Sequence, residues 1–179
     1  MPLSPFARGS VLALALLPAS FAAAQEVTRP SVPGIRNLAR LETTIACAGA
    51  ITPESVPAIK QMGFASIINL RLANESGAEV DSEMAAAKAA GVRYFHVPFD
   101  GSPDPEAARQ FLDAITSQGA EPAFVHCAGG NRAATMWLIK RLAVDHWDID
   151  RATAEAIALG QTSIPLRRFA IEYARSHQR

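Results

Sequence analysis

The chain has 179 residues, 49% of them apolar and 19% charged. That is enough for one domain with a sizeable core, and the composition is that of a globular protein. Lys plus Arg and Asp plus Glu each number 17, so no basic surplus points to nucleic acid and no polybasic run points to a membrane surface.

The first 24 residues read as an export signal. Arg8 supplies a short positive region. Val11 to Phe21 is apolar and interrupted by Pro18. Ala22, Ala23 and Ala24 are the small residues a signal peptidase accepts. The apolar run is too short to span a bilayer comfortably, so no stable membrane insertion is expected after cleavage, and the destination is the periplasm or the medium. Arg8 is the only charge in this segment, which leaves 16 basic and 17 acidic residues in the remainder. Residues 25–34, with Pro30, Pro33 and Gly34, read as an extended arm, and 35–179 as the folded domain.

Within the domain, 35–47 has the pattern of one or two short strands. Thr52, Pro53 and Glu54 form a helix start, with Thr52 as cap and Pro53 in the first turn, running to about Met62 and stopping at Gly63. Residues 65–70 are apolar and β-branched, as a buried strand requires. Residues 71–80 read as a loop and 81–90 as an Ala-rich helix ended by Gly91. Val92 to Phe99 predicts a second buried strand. Asp100 to Asp104 is a Gly- and Pro-containing loop, and 105–118 is amphipathic. Residues 123–126 predict a third strand. Helices follow over 131–144, 150–159 and 165–176, with Asp148 or Asp150 as a cap and Pro165 opening the last.

Strands alternating with helices predict an α/β fold: a single domain with a central, mostly parallel sheet of four to five strands flanked by helices. In such sheets ligands bind beyond the carboxyl ends of the strands. The loop after 123–126 reads His126-Cys127-Ala128-Gly129-Gly130-Asn131-Arg132. Gly129 and Gly130 allow the backbone to curl. The N–H groups of Ala128, Gly129, Gly130 and Asn131, together with the helix N-terminus, then form an anion cradle. Positive potential there favours a thiolate on Cys127. The planar fork of Arg132 grips two oxygens of a phosphate or related oxyanion. His126 is expected to orient the loop through a backbone hydrogen bond. A buried Cys followed by a Gly-rich turn is the bland alternative.

These residues resemble the phosphate-binding loop of dual-specificity and tyrosine phosphatases. From about Asn37 to Tyr173 the chain is most similar to the bacterial β-lactamase-hydrolase-like phosphatase domain family. The supporting stretches are 51–54, 63–71, 91–98, 137–147 and 154–160. The resemblance implies hydrolysis of phosphomonoesters, in a protein or a small molecule, through a cysteinyl-phosphate on Cys127. It also implies an Asp from an upstream loop as general acid. Asp100 is the preferred candidate; Asp104 is the other, with helix capping as its competing role. Arg71 either lines the site or pairs with Glu75, Glu79 or Glu83.

Two departures stand out. Four residues separate Cys127 from Arg132, one fewer than in the common phosphatase loop. That spacing is shared with the close bacterial family and with rhodanese-type sulfurtransferases. Ala133 stands where many phosphatases carry a Ser or Thr that helps the thiolate leave; Thr135 is displaced along the helix, and slow turnover is expected. A Cys127 persulfide and a non-catalytic anion-binding domain are the rival readings. Cys47 is expected to be a free, partly buried thiol near the loop, with a Cys47–Cys127 disulfide as the alternative. His96 reads as a core residue, and His146 and His177 as surface residues. No cofactor and no metal site is expected, since no His, Cys, Asp or Glu set has metal-ligand spacing.

Overall fold

The computed structural model describes residues 26–42 and 44–177. The expected export segment, 1–24, lies outside the described residues. Five strands form one sheet: β1 (Ala39–Leu41), β2 (Ile45–Ala48), β3 (Ser66–Asn69), β4 (Arg93–His96) and β5 (Ala123–His126), in the order β1-β2-β5-β3-β4. β1 runs antiparallel to β2 and every other pairing is parallel. The helices are α1 (Val56–Gln61), α2 (Val80–Ala90), α3 (Pro105–Ile115), α4 (Asn131–Ala143), α5 (Ile149–Ala158) and α6 (Ile164–His177).

The period-two alternation of strands sorts their side chains to two cores. Ile45, Cys47, Ile68 and Val125 enter the larger one, with residues of α3, α4, α5 and α6. Ala46, Ile67 and Phe124 enter the smaller one, with residues of α1 and α2. β5 is central and buried on both faces, which is why 123–126 reads as an uninterrupted apolar run before His126. Trp137 of α4 is fully buried, and its Nε1 donates to Glu155 at 2.7 Å. Burial of a large apolar side chain contributes about 1.5–3 kcal/mol, and the hydrogen bond satisfies the one polar atom that burial would strand.

Several boundaries differ from expectation for local reasons. Pro53–Ser55 is a 3₁₀ turn ahead of α1, and Thr52 makes no side-chain capping bond there. β4 stops at His96 because Pro98 has no N–H for a ladder. Helix α3 stops at Ile115 because the hydroxyls of Thr116 and Ser117 donate back to Leu112 O and Ala114 O. Asp148, rather than Asp150, caps α5 by accepting from Arg151 N–H at 2.8 Å. Helix α6 begins one residue before Pro165. Within the arm, Thr28 bridges Arg40 and Val32 bridges Ile35.

Candidate active site

β5 ends at His126 and delivers Cys127 to the carboxyl edge of the sheet, where Cys127 N–H donates to Ala48 O at 3.1 Å. The chain then turns into α4. Gly130, at φ 105°, is the residue before the first helical position. A side chain there would be strained, so this glycine is required by the backbone itself. Gly129 is different. Its φ is ordinary and an added Cβ would meet nothing within 4 Å. Its value is the open space it leaves beside the pocket, not conformational freedom.

Gly130 N–H donates to Cys127 Sγ at 3.1 Å. The sulfur therefore sits in the mouth of the cradle, with one main-chain donor already on it. Cys127 and Arg132 both line an open cleft of about 510 Å³, with Glu75, Asp100, Ser163 and Leu166 on its other walls. Arg132 is held on one edge. Nη1 donates to Glu75 Oε1 at 2.6 Å and also to Phe99 O and Leu70 O, and Nη2 donates to Glu75 Oε2 at 2.8 Å. This two-point grip fixes the guanidinium plane. Among the described residues no oxygen accepts from Nε, so the Nε–Nη2 edge is open to an oxyanion, and the Cys127 sulfur lies within the guanidinium's reach. The hydrogen bond from Arg132 holds the Glu75 carboxyl down at about 2 despite some desolvation, so it is ionised throughout the neutral range.

Glu75 was not expected in this role; the sequence suggested it only as a partner of Arg71. It makes that contact too, but loosely, at 3.4 Å. Arg71 is buried and donates mainly to Gly77 O and Ser76 O at 2.7 and 2.6 Å. It is a brace for the 71–80 loop that carries Glu75 and does not line the cleft.

The two candidate acids separate. Asp104 Oδ1 accepts from Glu106 N–H and Ala107 N–H at 2.9 and 3.1 Å and caps α3. Asp100 lines the cleft, exposed, with Oδ1 accepting from Ser102 N–H at 2.7 Å. Gly101, next to it, lies over the Arg132 stem: an added Cβ would be 3.5 Å from Arg132 Cδ.

Other expected contributors turn elsewhere. The His126 ring points away from the cradle, into the smaller core, because strand alternation puts it on the face opposite Cys127. Its Nε2 lies 3.2 Å from Glu83 Oε2, and no loop backbone atom accepts from it. Glu83 is fully buried, and its Oε2 also accepts from Asn69 Nδ2 and Tyr94 OH at 2.7 and 2.9 Å. Burial pushes the Tyr94 hydroxyl well up, so it remains a donor. His96 is at the end of β4, half-buried, with Nε2 2.8 Å from Arg71 O. The Asn131 side chain leaves the cradle: Oδ1 accepts from Thr162 N–H and Ser163 N–H at 2.7 and 3.1 Å, tying the α5–α6 connection to the cleft wall. The Thr135 hydroxyl donates back to Asn131 O at 2.9 Å. Cys47 and Cys127 are both free thiols, and Cys47 is fully buried rather than partly so. Burial, then the proximity of Cys127 and Glu155, raises the Cys47 thiol well above its usual range. It stays protonated.

The family model for the beta-lactamase hydrolase-like protein, phosphatase-like domain, matches residues 37–144. The beta-lactamase hydrolase-like protein of Agrobacterium fabrum is 35% identical over 79 residues, which cover 43% of this chain and 18% of that protein. The chain spans less than a third of the curated relatives it matches. Among solved structures, a DUF442 protein of Shewanella putrefaciens superposes with a TM-score of 0.69 at 20% identity, covering 82% of this chain and 94% of that one. TpbA of P. aeruginosa, in complex with pTyr, superposes with a TM-score of 0.59 at 21% identity, covering 86% and 91%. These two likenesses are of fold.

Proposed function

The chain belongs to the family of beta-lactamase hydrolase-like phosphatase-like domains, and from that premise we propose that it hydrolyses phosphomonoesters through a cysteinyl-phosphate on Cys127. One observation carries the reading: the Cys127 sulfur, with Gly130 N–H donating to it, and the open edge of a Glu75-clamped Arg132 share one cleft. A phosphoryl group bound by that edge and by the cradle stands above the sulfur. The thiolate attacks phosphorus, the bond to the leaving oxygen breaks, and Asp100 gives that oxygen its proton. Water then attacks the cysteinyl-phosphate and gives a proton to Asp100, and inorganic phosphate and the thiolate are released. The cradle and Arg132 stabilise the charge on the equatorial oxygens in both steps.

The pTyr complex of TpbA makes phosphotyrosine one substrate class to test here, beside small phosphorylated molecules. Rhodanese-type sulfur transfer is the second reading. It is favoured by Ala133 and by the back-bonded Thr135, neither of which offers a hydroxyl to a departing thiolate. The protein, purified in reductant, is assayed for aryl phosphate hydrolysis and for thiosulfate-to-cyanide sulfur transfer, with Cys127→Ser beside it. Phosphate release that the substitution drops by at least about 10⁴-fold supports the phosphatase. Sulfur transfer without phosphate release sinks it. Export to the periplasm or medium is the reading that residues 1–24 carry; cell fractionation with N-terminal mass determination tests it, and an uncleaved cytoplasmic chain overturns it.

A further inference from the structure

A trans peptide unit points its carbonyl and its N–H in opposite directions. The N–H groups of the Cys127–Arg132 loop therefore face inward only while the carbonyls are held outward. Three of them are. Ala128 O accepts from Ala50 N–H at 3.1 Å, Gly130 O from Ala134 N–H at 3.0 Å, and Gly129 O from Asn37 Nδ2 at 3.1 Å. The first two donors are main chain and come with the fold. The third is a side chain. It holds the peptide plane whose other end is Gly130 N–H, the group 3.1 Å from Cys127 Sγ.

Asn37 stands outside the cleft, exposed, just before β1, with φ 49°. Few L residues adopt that left-handed conformation, and Asn is among those that do so most readily. Its surroundings fix its height against the loop. Arg36 N–H donates to Ala50 O at 2.9 Å, Gly49 N–H donates to Arg36 O at 2.7 Å, and Gly49 bridges Gly129. The packing is close: a Cβ on Gly49 would lie 3.0 Å from both Ala128 O and Arg36 O. Residues 36–37 and 49–50 thus brace the outer wall of the loop, and only the Asn37 contact can be removed by changing a side chain.

We propose that Asn37 is a positioning residue for the nucleophile: its amide fixes the Gly129–Gly130 peptide plane so that Gly130 N–H donates to the Cys127 thiolate and the cradle stays open to phosphate. This rests on the reading of Cys127 as nucleophile. Asn37→Gly keeps the left-handed backbone and deletes the donor. Asn37→Asp keeps the shape and sets a carboxylate, which cannot donate, against a carbonyl.

The full chain is alkylated with iodoacetamide across a pH series, and modification of Cys127 is followed by mass spectrometry, with Cys127→Ser reporting the Cys47 background. Protection by inorganic phosphate is measured alongside. Asn37→Gly is expected to move the acid limb of the alkylation profile up by about 0.5–1 pH unit, the equivalent of one ordinary hydrogen bond, and to weaken phosphate protection. Asn37→Asp moves it at least as far. Profiles that superimpose on the wild type, or a lowered melting temperature with an unmoved profile, overturn the proposal. If the wild-type protein releases no phosphate from any ester, the functional reading fails, while the alkylation profiles still decide the role of Asn37.

Discussion

Two loops leave the carboxyl edge of the sheet for the same cleft, and they are held in opposite ways. The loop after β5 hands its carbonyls to other elements: to residue 50, to residue 37 and to the first turn of α4. The loop after β4 bonds largely to itself, through Asp100 to Ser102 N–H and through Asp104 to the start of α3. On the proposed mechanism the first must present fixed dipoles to a charge that develops in one place, and preorganisation is what makes such dipoles effective. In the proposed reaction the second presents a proton to a leaving oxygen whose position varies with the substrate, and a self-contained, exposed loop suits that. Arg132 joins the two: it starts from the rigid loop, donates to Phe99 O at the foot of the other and supports Gly101.

The contrast is broken most severely at that junction. Arg132→Lys keeps a charge but loses the planar fork, so it cannot span Glu75 and an oxyanion at once. A fall in kcat of about 10²–10³-fold is expected, read from steady-state hydrolysis of an aryl phosphate. Asp100→Asn comes next, with a loss of about 10²-fold that is greatest for esters with poor leaving groups. Equal losses for good and poor leaving groups would remove Asp100 from the acid's role.

Glu75→Gln frees the guanidinium without removing it, and a loss of about 10-fold is expected, mostly in KM for phosphate esters. The same variant has a defined pH signature. Glu75 is depressed from 4.5 to about 2 in the folded protein, so its contribution to stability is fully present above the ordinary carboxylate range and is lost as pH falls toward 2. Urea unfolding should show a gap between wild type and Glu75→Gln that is constant near neutrality and narrows below about pH 4.5. The smallest effect is that of Asp104→Ala: about 1 kcal/mol of stability through the lost cap of α3, with turnover unchanged. A turnover loss as large as that of Asp100→Asn would exchange the roles of the two aspartates.

Much of the chemistry is written locally. His126 to Arg132 lie in one run, between an apolar strand and a helix, and the sequence places Cys127 and Arg132 at the same strand end without any knowledge of the fold. The capping of α3 by Asp104 is also legible, and that of α5 is narrowed to Asp148 or Asp150, because a cap bonds its own next turn. What was not legible spans the chain. Glu75 reaches Arg132 across 57 residues and Asn37 reaches Gly129 across 92. Neither has a motif of its own: one is an acid in a polar loop, the other a lone Asn before a strand. The His126 expectation failed at a single step of strand alternation, which turns adjacent side chains to opposite faces of the sheet.

The sequence by itself determined the kinds of element, their order, the parallel α/β class and the identity of the groups at the strand end, since these follow from periodicity, turn residues and caps that act within a few positions. Only the tertiary structure decided which acid faces the cleft, what clamps the arginine, which face His126 takes and what holds the cradle's carbonyls outward. Those depend on the order of strands in the sheet, β1-β2-β5-β3-β4, which brings β2 and β3 to either side of β5. A side chain's distant neighbours are set by that order and not by the residues beside it in the chain.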